Sequence, residues 1–460
     1  MTAALAHQSA KAPRTGLDVR AVWQLSSMSL GIGVFALPHA FLKLGALQGA
    51  LWVVVMGVFA NIALQRLLDA AAECGVPSYE GLAQRAFGRA GRTGMALLTL
   101  VTTFTATVSY LTAASGLLED VAVAFFADFD VNGAPGAVEV LSKPKSAVAL
   151  LVLVAAVLPR CLNQSMGANA WISAGGVFTM CSSGLFFVAS CGLLLLRGCG
   201  RASRCGGRPP LASSNVEDML QCTATLAFSF SMVFAVFPVL EERVADSTVA
   251  EAVAGLKPAV RASVGLNSCL YLLVGLAGSL TFGTATQDLA LSNLSLSSPL
   301  TQAIHLLVGA SAALLMAIIA FPTVQSLELL VTPPRCWPST WSLRPWFVGF
   351  VGLLAVLVGT FVPTKIAFAI TGSLGLALSA YALPCLLYLK LLPGAARGRR
   401  AGAALVLLFG LALLLGATPV TVARLVSAGG GPKPRPLAEL LCHAHEEPHP
   451  RARGAPPLEL

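Results

Sequence analysis

From Ala21 almost to Ser427, apolar runs of membrane-spanning length follow one another with short polar breaks between them. They fall at residues 22–43, 47–71, 93–118, 146–158, 170–196, 219–240, 262–283, 300–330, 346–362, 366–389 and 401–425. A helix needs about 20 residues to cross the hydrocarbon core, and it satisfies its backbone hydrogen bonds internally where no water is present. The pattern predicts an all-α integral membrane protein of about 11 transmembrane helices, the fourth of them short. Composition agrees, with 56% of the 460 residues hydrophobic and 11% charged. Soluble domains carry about 25% charged residues, so this chain lacks the polar groups to cover a surface facing water. Lipid is its solvent. Three regions follow: a cytoplasmic tail over 1–20, a transmembrane domain over 21–427, and a C-terminal tail over 428–460. The Pro, His, Arg and Gly content of the last region predicts disorder.

Charge sets the expected orientation. The net charge of +9 arises from 30 Lys and Arg against 21 Asp and Glu. In a membrane chain such an excess belongs to cytoplasmic loops and implies no nucleic-acid partner. A cytoplasmic N-terminus puts 17 of the 30 basic residues inside and 8 outside, the C-terminal tail set apart. The stretch from Arg197 to Arg208 opposes this bias with four arginines on the outer side. Of the sequons that begin at Asn163 and Asn293, only Asn293 is expected to face the glycosylating compartment. Most of the 11 cysteines lie inside apolar runs and read as small buried hydrophobes. Cys199 and Cys205 flank a Gly/Arg loop and are placed to pair if that loop is extracellular. There is no zinc-spaced Cys/His cluster, Walker A motif, nucleophile elbow or HExxH, so neither a resident metal nor an enzyme is expected.

The first run reads Ser26-Ser27-Met28-Ser29-Leu30-Gly31-Ile32-Gly33-Val34-Phe35-Ala36-Leu37-Pro38. Two glycines one residue apart weaken a helix at mid-membrane, and Pro38 removes a hydrogen bond to the turn that contains Val34. Open backbone at that depth is tolerated beside protein or a wet cavity. The sixth run, Phe228-Ser229-Phe230-Ser231-Met232-Val233-Phe234-Ala235-Val236-Phe237-Pro238, repeats the device. Gly31 precedes Pro38 by the same seven residues by which Ser231 precedes Pro238. Matching interruptions in two halves are the sequence pointer to a transporter built as an inverted repeat, with its site at the breaks. Helices one to five and six to ten form the halves, and the eleventh is an addition. Gly31, Ile32, Gly33, Phe230, Ser231 and Met232 become the candidate substrate residues. Tyr110, in the third run, is a candidate to close over a substrate carboxylate.

Four further segments carry a resemblance. Leu30-Gly31-Ile32-Gly33 runs on to Leu37-Pro38-His39-Ala40-Phe41 and Gly45. Ser78-Tyr79-Glu80-Gly81-Leu82-Ala83-Gln84-Arg85-Ala86-Phe87-Gly88 is followed by Gly91-Arg92. Leu280-Thr281-Phe282-Gly283 closes the seventh run. Gly372-Ser373 leads to Leu383-Pro384 and Leu387-Tyr388-Leu389-Lys390 in the tenth. In this order and spacing the chain resembles the amino acid/auxin permease family, on the side of its sodium-coupled neutral amino acid transporters. The resemblance implies a LeuT-like core with broken first and sixth helices. It also implies ion-coupled uptake of an α-amino acid.

The departures bear on the ion. Sodium-coupled relatives carry an Asn where Ser27 stands, and hydroxyls in the eighth helix where this chain has Ala313-Leu314-Leu315-Met316-Ala317. Sodium prefers several oxygen ligands. Ser27, Ser311 and the freed carbonyl near Leu30 remain as candidates, alongside a proton carried by His39 or His305, both expected toward the outer vestibule. Transport is therefore expected to depend on pH more than on sodium, with no other cofactor. The expected partners are a neutral amino acid and membrane lipid. The expected location is the plasma membrane or a lysosomal or endosomal membrane. The rival reading is an amino-acid sensor on the same fold, which a long structured cytoplasmic tail would favour.

Overall fold

The computed structural model describes residues 17–129, 150–151, 153–155, 158–162, 170–197, 206–296, 298–331 and 343–428. The expected fourth span lies mostly outside them. Residues 1–16 and 429–460 of the tails, Asn163 and the Cys199–Cys205 pair also fall outside. Among the described residues helix is the only extended regular structure. Nine helices among the described residues are long and apolar enough to cross a membrane, or ten if the bent pair counts as one span.

The first crossing is α1 (Val19–Ser27), a 3-10 turn (Ile32–Ala36) and α2 (Leu37–Leu44), with a bend of 57°. Gly45, at φ 92°, turns the chain into α3 (Ala46–Cys74), a backbone conformation that side-chain-bearing residues avoid. The third crossing, α4 (Tyr79–Phe129), is kinked at Gly88, again at positive φ (68°). That kink separates the Tyr79–Phe87 piece of the SYEGLAQRAFG segment from the membrane-crossing part. The first half closes with α5 (Ala170–Arg197).

The second half opens with α6 (Val216–Ser229) and α7 (Val233–Val244), the broken sixth span. A Thr248/Glu251 capping box starts α8 (Val249–Phe282), followed by α9 (Pro299–Leu330) and α10 (Arg344–Phe361). The tenth span is α11 (Thr364–Ile370), a π-helical stretch (Thr371–Ala382) and α12 (Leu383–Leu391), and α13 (Arg397–Ala428) ends the fold. Burial separates core from rim. It reaches 78% in the apolar windows of the sixth and tenth spans and falls to 28% in the eleventh. Leu405, Leu408 and Leu415 of α13 are accordingly exposed, as suits a helix added against lipid.

Candidate functional site

The two broken spans enter from opposite ends of the bundle and meet at its centre. Asp18, at the start of α1, pairs with Arg243 at the end of α7, and Lys43, at the end of α2, lies 4.0 Å from Asp218 at the start of α6. The C-termini of α1 and α6 therefore both point inward. Gly31 is extended (φ −118°, ψ −161°), and Phe230 leaves helix at φ −106°, ψ 39°. Pro38 is not the breaker that the sequence suggests. It sits in the first turn of α2, where its missing N–H costs no hydrogen bond. Two bonds tie the breaks together. Ser231 Oγ donates to the Met28 carbonyl at 2.6 Å. The Tyr271 hydroxyl of α8 lies 2.7 Å from the Ser29 carbonyl and 2.6 Å from the Ser229 carbonyl, with one proton to share between them.

Beside the breaks is a cavity of about 20 Å³. Met28 comes to it from the first break and Phe228, Ser231 and Phe234 from the sixth span. One face of α4 supplies Thr102, Thr103, Ala106 and Tyr110, α9 supplies Ile319, and the tenth span Thr371 and Leu376. Among the described residues no charged side chain lines it. Thr371 opens the π-helical stretch, a widened turn that often accompanies a site. Toward the His39 end lies a larger cavity of about 350 Å³, lined by His39, Lys43, Asp218, Asp288, Lys365 and Arg424 among others. Phe368 forms part of its wall and stacks on Phe228 at 4.9 Å, which closes the small cavity from the large one. At the opposite end, Arg243 holds Asp18, Gln24 donates to Glu242 at 3.4 Å, and the Tyr79 hydroxyl donates to the Ser379 carbonyl at 2.6 Å.

The structure sorts the residues expected from sequence. Ser231 and Tyr110 line the small cavity, and Gly31 lies directly under the Tyr110 ring, where a Cβ would overlap the hydroxyl. Gly33 faces Phe228, whose Cε1 would be 3.2 Å from an added Cβ. Ile32 and Met232 are fully buried and do not line the cavity. Phe230 is a correction: its ring packs edge-on against Tyr271 at 5.2 Å, toward Gly57 of α3, because leaving the helix at that residue rotates it off the cavity face. Phe228 takes that place.

Among the ion candidates, the Ser27 hydroxyl turns back to the Gln24 carbonyl at 2.8 Å. No hydrogen bond among the described residues joins it to Ser311, and Leu30 is buried with its N–H on the Ser26 carbonyl at 2.6 Å. His39 does face the large cavity, 3.9 Å from Asp288. His305 does not. It is fully buried in α9 with Nδ1 2.9 Å from the Thr301 carbonyl of its own helix. Asn293 is also a correction as a glycan site. It is 2% exposed, its Nδ2 donates to the Ala285 carbonyl and its Oδ1 accepts from the Gln287 N–H, so no amide nitrogen is presented to solvent. The Thr face of α4 was readable as polar positions at helical spacing within an apolar run. Phe228 carried no such signal, since two phenylalanines flank Ser229 alike.

Two broken helices of opposite direction, crossing at an enclosed central cavity, define a multi-pass transporter of the five-plus-five inverted-repeat architecture. The sequence pattern of the family described as transmembrane amino acid transporter protein matches residues 16–423, and the chain belongs to that family. A curated relative, amino acid transporter AVT6D of Arabidopsis thaliana, is 26% identical over 96 residues. That stretch is 21% of this chain and spans 22% of the relative. Among solved structures, MhsT in complex with L-phenylalanine superposes with a TM-score of 0.53 at 13% identity, over 89% of this chain and 98% of that one. The Eremococcus coleocola manganese transporter gives 0.51 at 13% identity, over 92% and 90%. At these identities the likeness is one of fold.

Proposed function

We propose that this protein moves small neutral amino acids across a membrane by alternating access, coupled to a proton or to sodium. One observation carries the reading: the two helix breaks meet beside a cavity whose lining holds hydroxyls, aromatic rings and apolar groups but no charged side chain. A zwitterion finds its counter-charges there in backbone. The N-terminus of α7 favours the carboxylate, and the carbonyl ends of α1 and α6 favour the ammonium group. MhsT, of the same fold, holds L-phenylalanine, which fits an amino acid as cargo.

The central cavity, at about 20 Å³, suits a water or two and not an amino acid. The described state is therefore closed at the centre. Loading requires Phe228 and Phe368 to part toward the large cavity, and release requires the Asp18–Arg243 contact to open at the other end. By the charge bias the His39 end is extracellular or lumenal and the Asp18 end cytoplasmic.

The test is uptake into proteoliposomes over a panel of amino acids, with sodium and proton gradients imposed separately. Accumulation of alanine, glutamine or leucine above protein-free liposomes is expected. No accumulation of any amino acid under either gradient would overturn the reading.

A further inference from the structure

Charge at the Asp18 end of the bundle is sorted into sectors. Residues 81–118 contain no Asp or Glu, and neither do residues 329–438. Both stretches reach this end. Tyr79–Phe87, the piece of α4 ahead of the Gly88 kink, buries Tyr79, Leu82 and Ala83 and leaves Gln84, Arg85 and Phe87 exposed. Arg89, also exposed, follows the kink. α12 ends beside this piece, with Lys390 Nζ 3.8 Å from the centroid of the Phe87 ring. The connection that follows folds back on itself, and Arg400 of α13 donates to the Pro393 carbonyl at 2.7 Å. Arg85, Arg89, Lys390, Arg397, Arg399 and Arg400 thus form one exposed patch. None of the six makes an ion pair among the described residues. Glu241, Glu242, Asp246 and Glu251 of this end stand in another sector, at the α7–α8 junction. α3 and α4 contribute Asp69, which Arg66 and Lys257 already pair, Glu73, and Glu80 beside Arg92.

A patch of this sign takes an anion, and its position specifies a lipid. Leu405, Leu408 and Leu415 of α13 are exposed, so that helix faces the hydrocarbon. Arg397, Arg399 and Arg400 stand in its first turn, within about 12 Å of Leu405 along the axis, where headgroups begin. Phe87, 40% exposed under the Lys390 ammonium, sets a ring and a cation side by side at the same level. Clusters of about 4–8 Lys and Arg next to a span attract anionic headgroups, and guanidinium forks hold phosphate oxygens in pairs. We infer that this patch binds the phosphate headgroup of an anionic bilayer lipid, bridging the first piece of α4 to the α12–α13 connection. The same piece of α4 holds the tenth span through the Tyr79 hydroxyl on the Ser379 carbonyl, at 2.6 Å. A bound headgroup would brace that end in its closed arrangement.

The inference goes beyond the transport reading, and its test involves no amino acid, so either can fail while the other stands. Thermal unfolding of the purified full-length protein is followed in detergent micelles titrated with phosphatidylglycerol, with phosphatidylcholine or with inorganic phosphate. Phosphatidylglycerol is expected to raise the unfolding temperature in a saturable way that added salt weakens, and the other two are not. Arg397→Gln/Arg399→Gln/Arg400→Gln and, separately, Arg85→Gln/Arg89→Gln are each expected to weaken the apparent affinity about tenfold. All five positions are exposed, so the core of each variant is intact. Arg208→Gln, at an exposed position of the opposite end, is expected to leave the response unchanged. Equal responses to phosphatidylglycerol and phosphatidylcholine overturn the inference. An equal response to inorganic phosphate overturns it too, since the occupant is then a soluble anion. A phosphatidylglycerol response that both multiple variants keep, or that Arg208→Gln loses to the same extent, overturns the placement at this patch.

Discussion

Gly31 and Tyr110 fit together because one of them has no side chain. The Gly31 backbone is in an ordinary extended conformation, so what glycine supplies there is space and not a special φ. Gly31→Ala would drive a methyl group into the Tyr110 hydroxyl and ring. Overpacking of this kind costs about 1–3 kcal/mol, and we expect uptake to fall about tenfold or more at unchanged membrane expression. Gly94→Ala is the control, since nothing lies within 4 Å of its added Cβ. If both variants transport equally, the packing account of Gly31 is wrong. Tyr271→Phe removes the donor shared by the Ser29 and Ser229 carbonyls and should lower stability by about 1–3 kcal/mol, read as a fall in unfolding temperature. A neutral Tyr271→Phe would mean that another donor reaches those carbonyls. The sequence marked Gly31 as one of two glycines that weaken the helix, and that its missing side chain makes room for the Tyr110 ring was not legible there. Nor was the role of Tyr271, because a tyrosine within a long apolar helix looks the same whether it packs or bridges, and only the fold brings two carbonyls 242 and 42 residues away to its hydroxyl.

At the scale of elements, the position of each break was legible to within a few residues but its cause was misread. Glycines and prolines mark both spans. The helices nevertheless stop at Ser27 and Ser229, upstream of the prolines, and Pro238 lies inside α7. A proline signals a disturbance in its own preceding turn, whereas here tertiary bonds such as Ser231 to Met28 stabilise the unwound backbone. Leaving the helix also re-phases the residues beyond it, which is why the choice between Phe228 and Phe230 was beyond periodicity. The Asp18–Arg243 contact belongs to this scale, since it fastens the start of α1 to the end of α7. Its side chains are 35% and 21% exposed, so solvent screens the pair and its worth is about 1 kcal/mol or less. Asp18→Ala should therefore shift the balance of open and closed forms at that end by about fivefold at most. A several-fold change in uptake is the expected reading, with recovery in the Asp18→Arg/Arg243→Asp exchange. Failure of the exchange to restore uptake, with both chains expressed, would assign the residues another role.

For the whole molecule, the membrane class was legible because it rests on the length of apolar runs, which lipid enforces, and the two-half plan because the first and sixth runs carry matching interruptions. Orientation of side chains around the central cavity was legible at the threonine face of α4 alone, because the sixth and tenth spans are buried on most sides and show no polar face to read. What the assembled lining adds is a constraint on cargo. Its hydroxyls come from Thr102, Thr103, Ser231, Thr371 and Tyr110, and the charged groups of the larger cavity stand on the far side of the Phe228–Phe368 stack. A lysine, arginine or glutamate side chain carried to the centre would be an uncompensated charge in a site shut from water, at a cost of several kcal/mol. Even about 2.8 kcal/mol of that cost gives a hundredfold preference. Alanine, glutamine and leucine should therefore compete for uptake at concentrations at least about a hundredfold below those needed for lysine, arginine or glutamate. Competition against labelled alanine in proteoliposomes measures this directly. Lysine or glutamate competing as well as leucine would show that the cavity rearranges on opening to bring a charged group in, Asp218 or Lys365 of the larger cavity being the nearest supply.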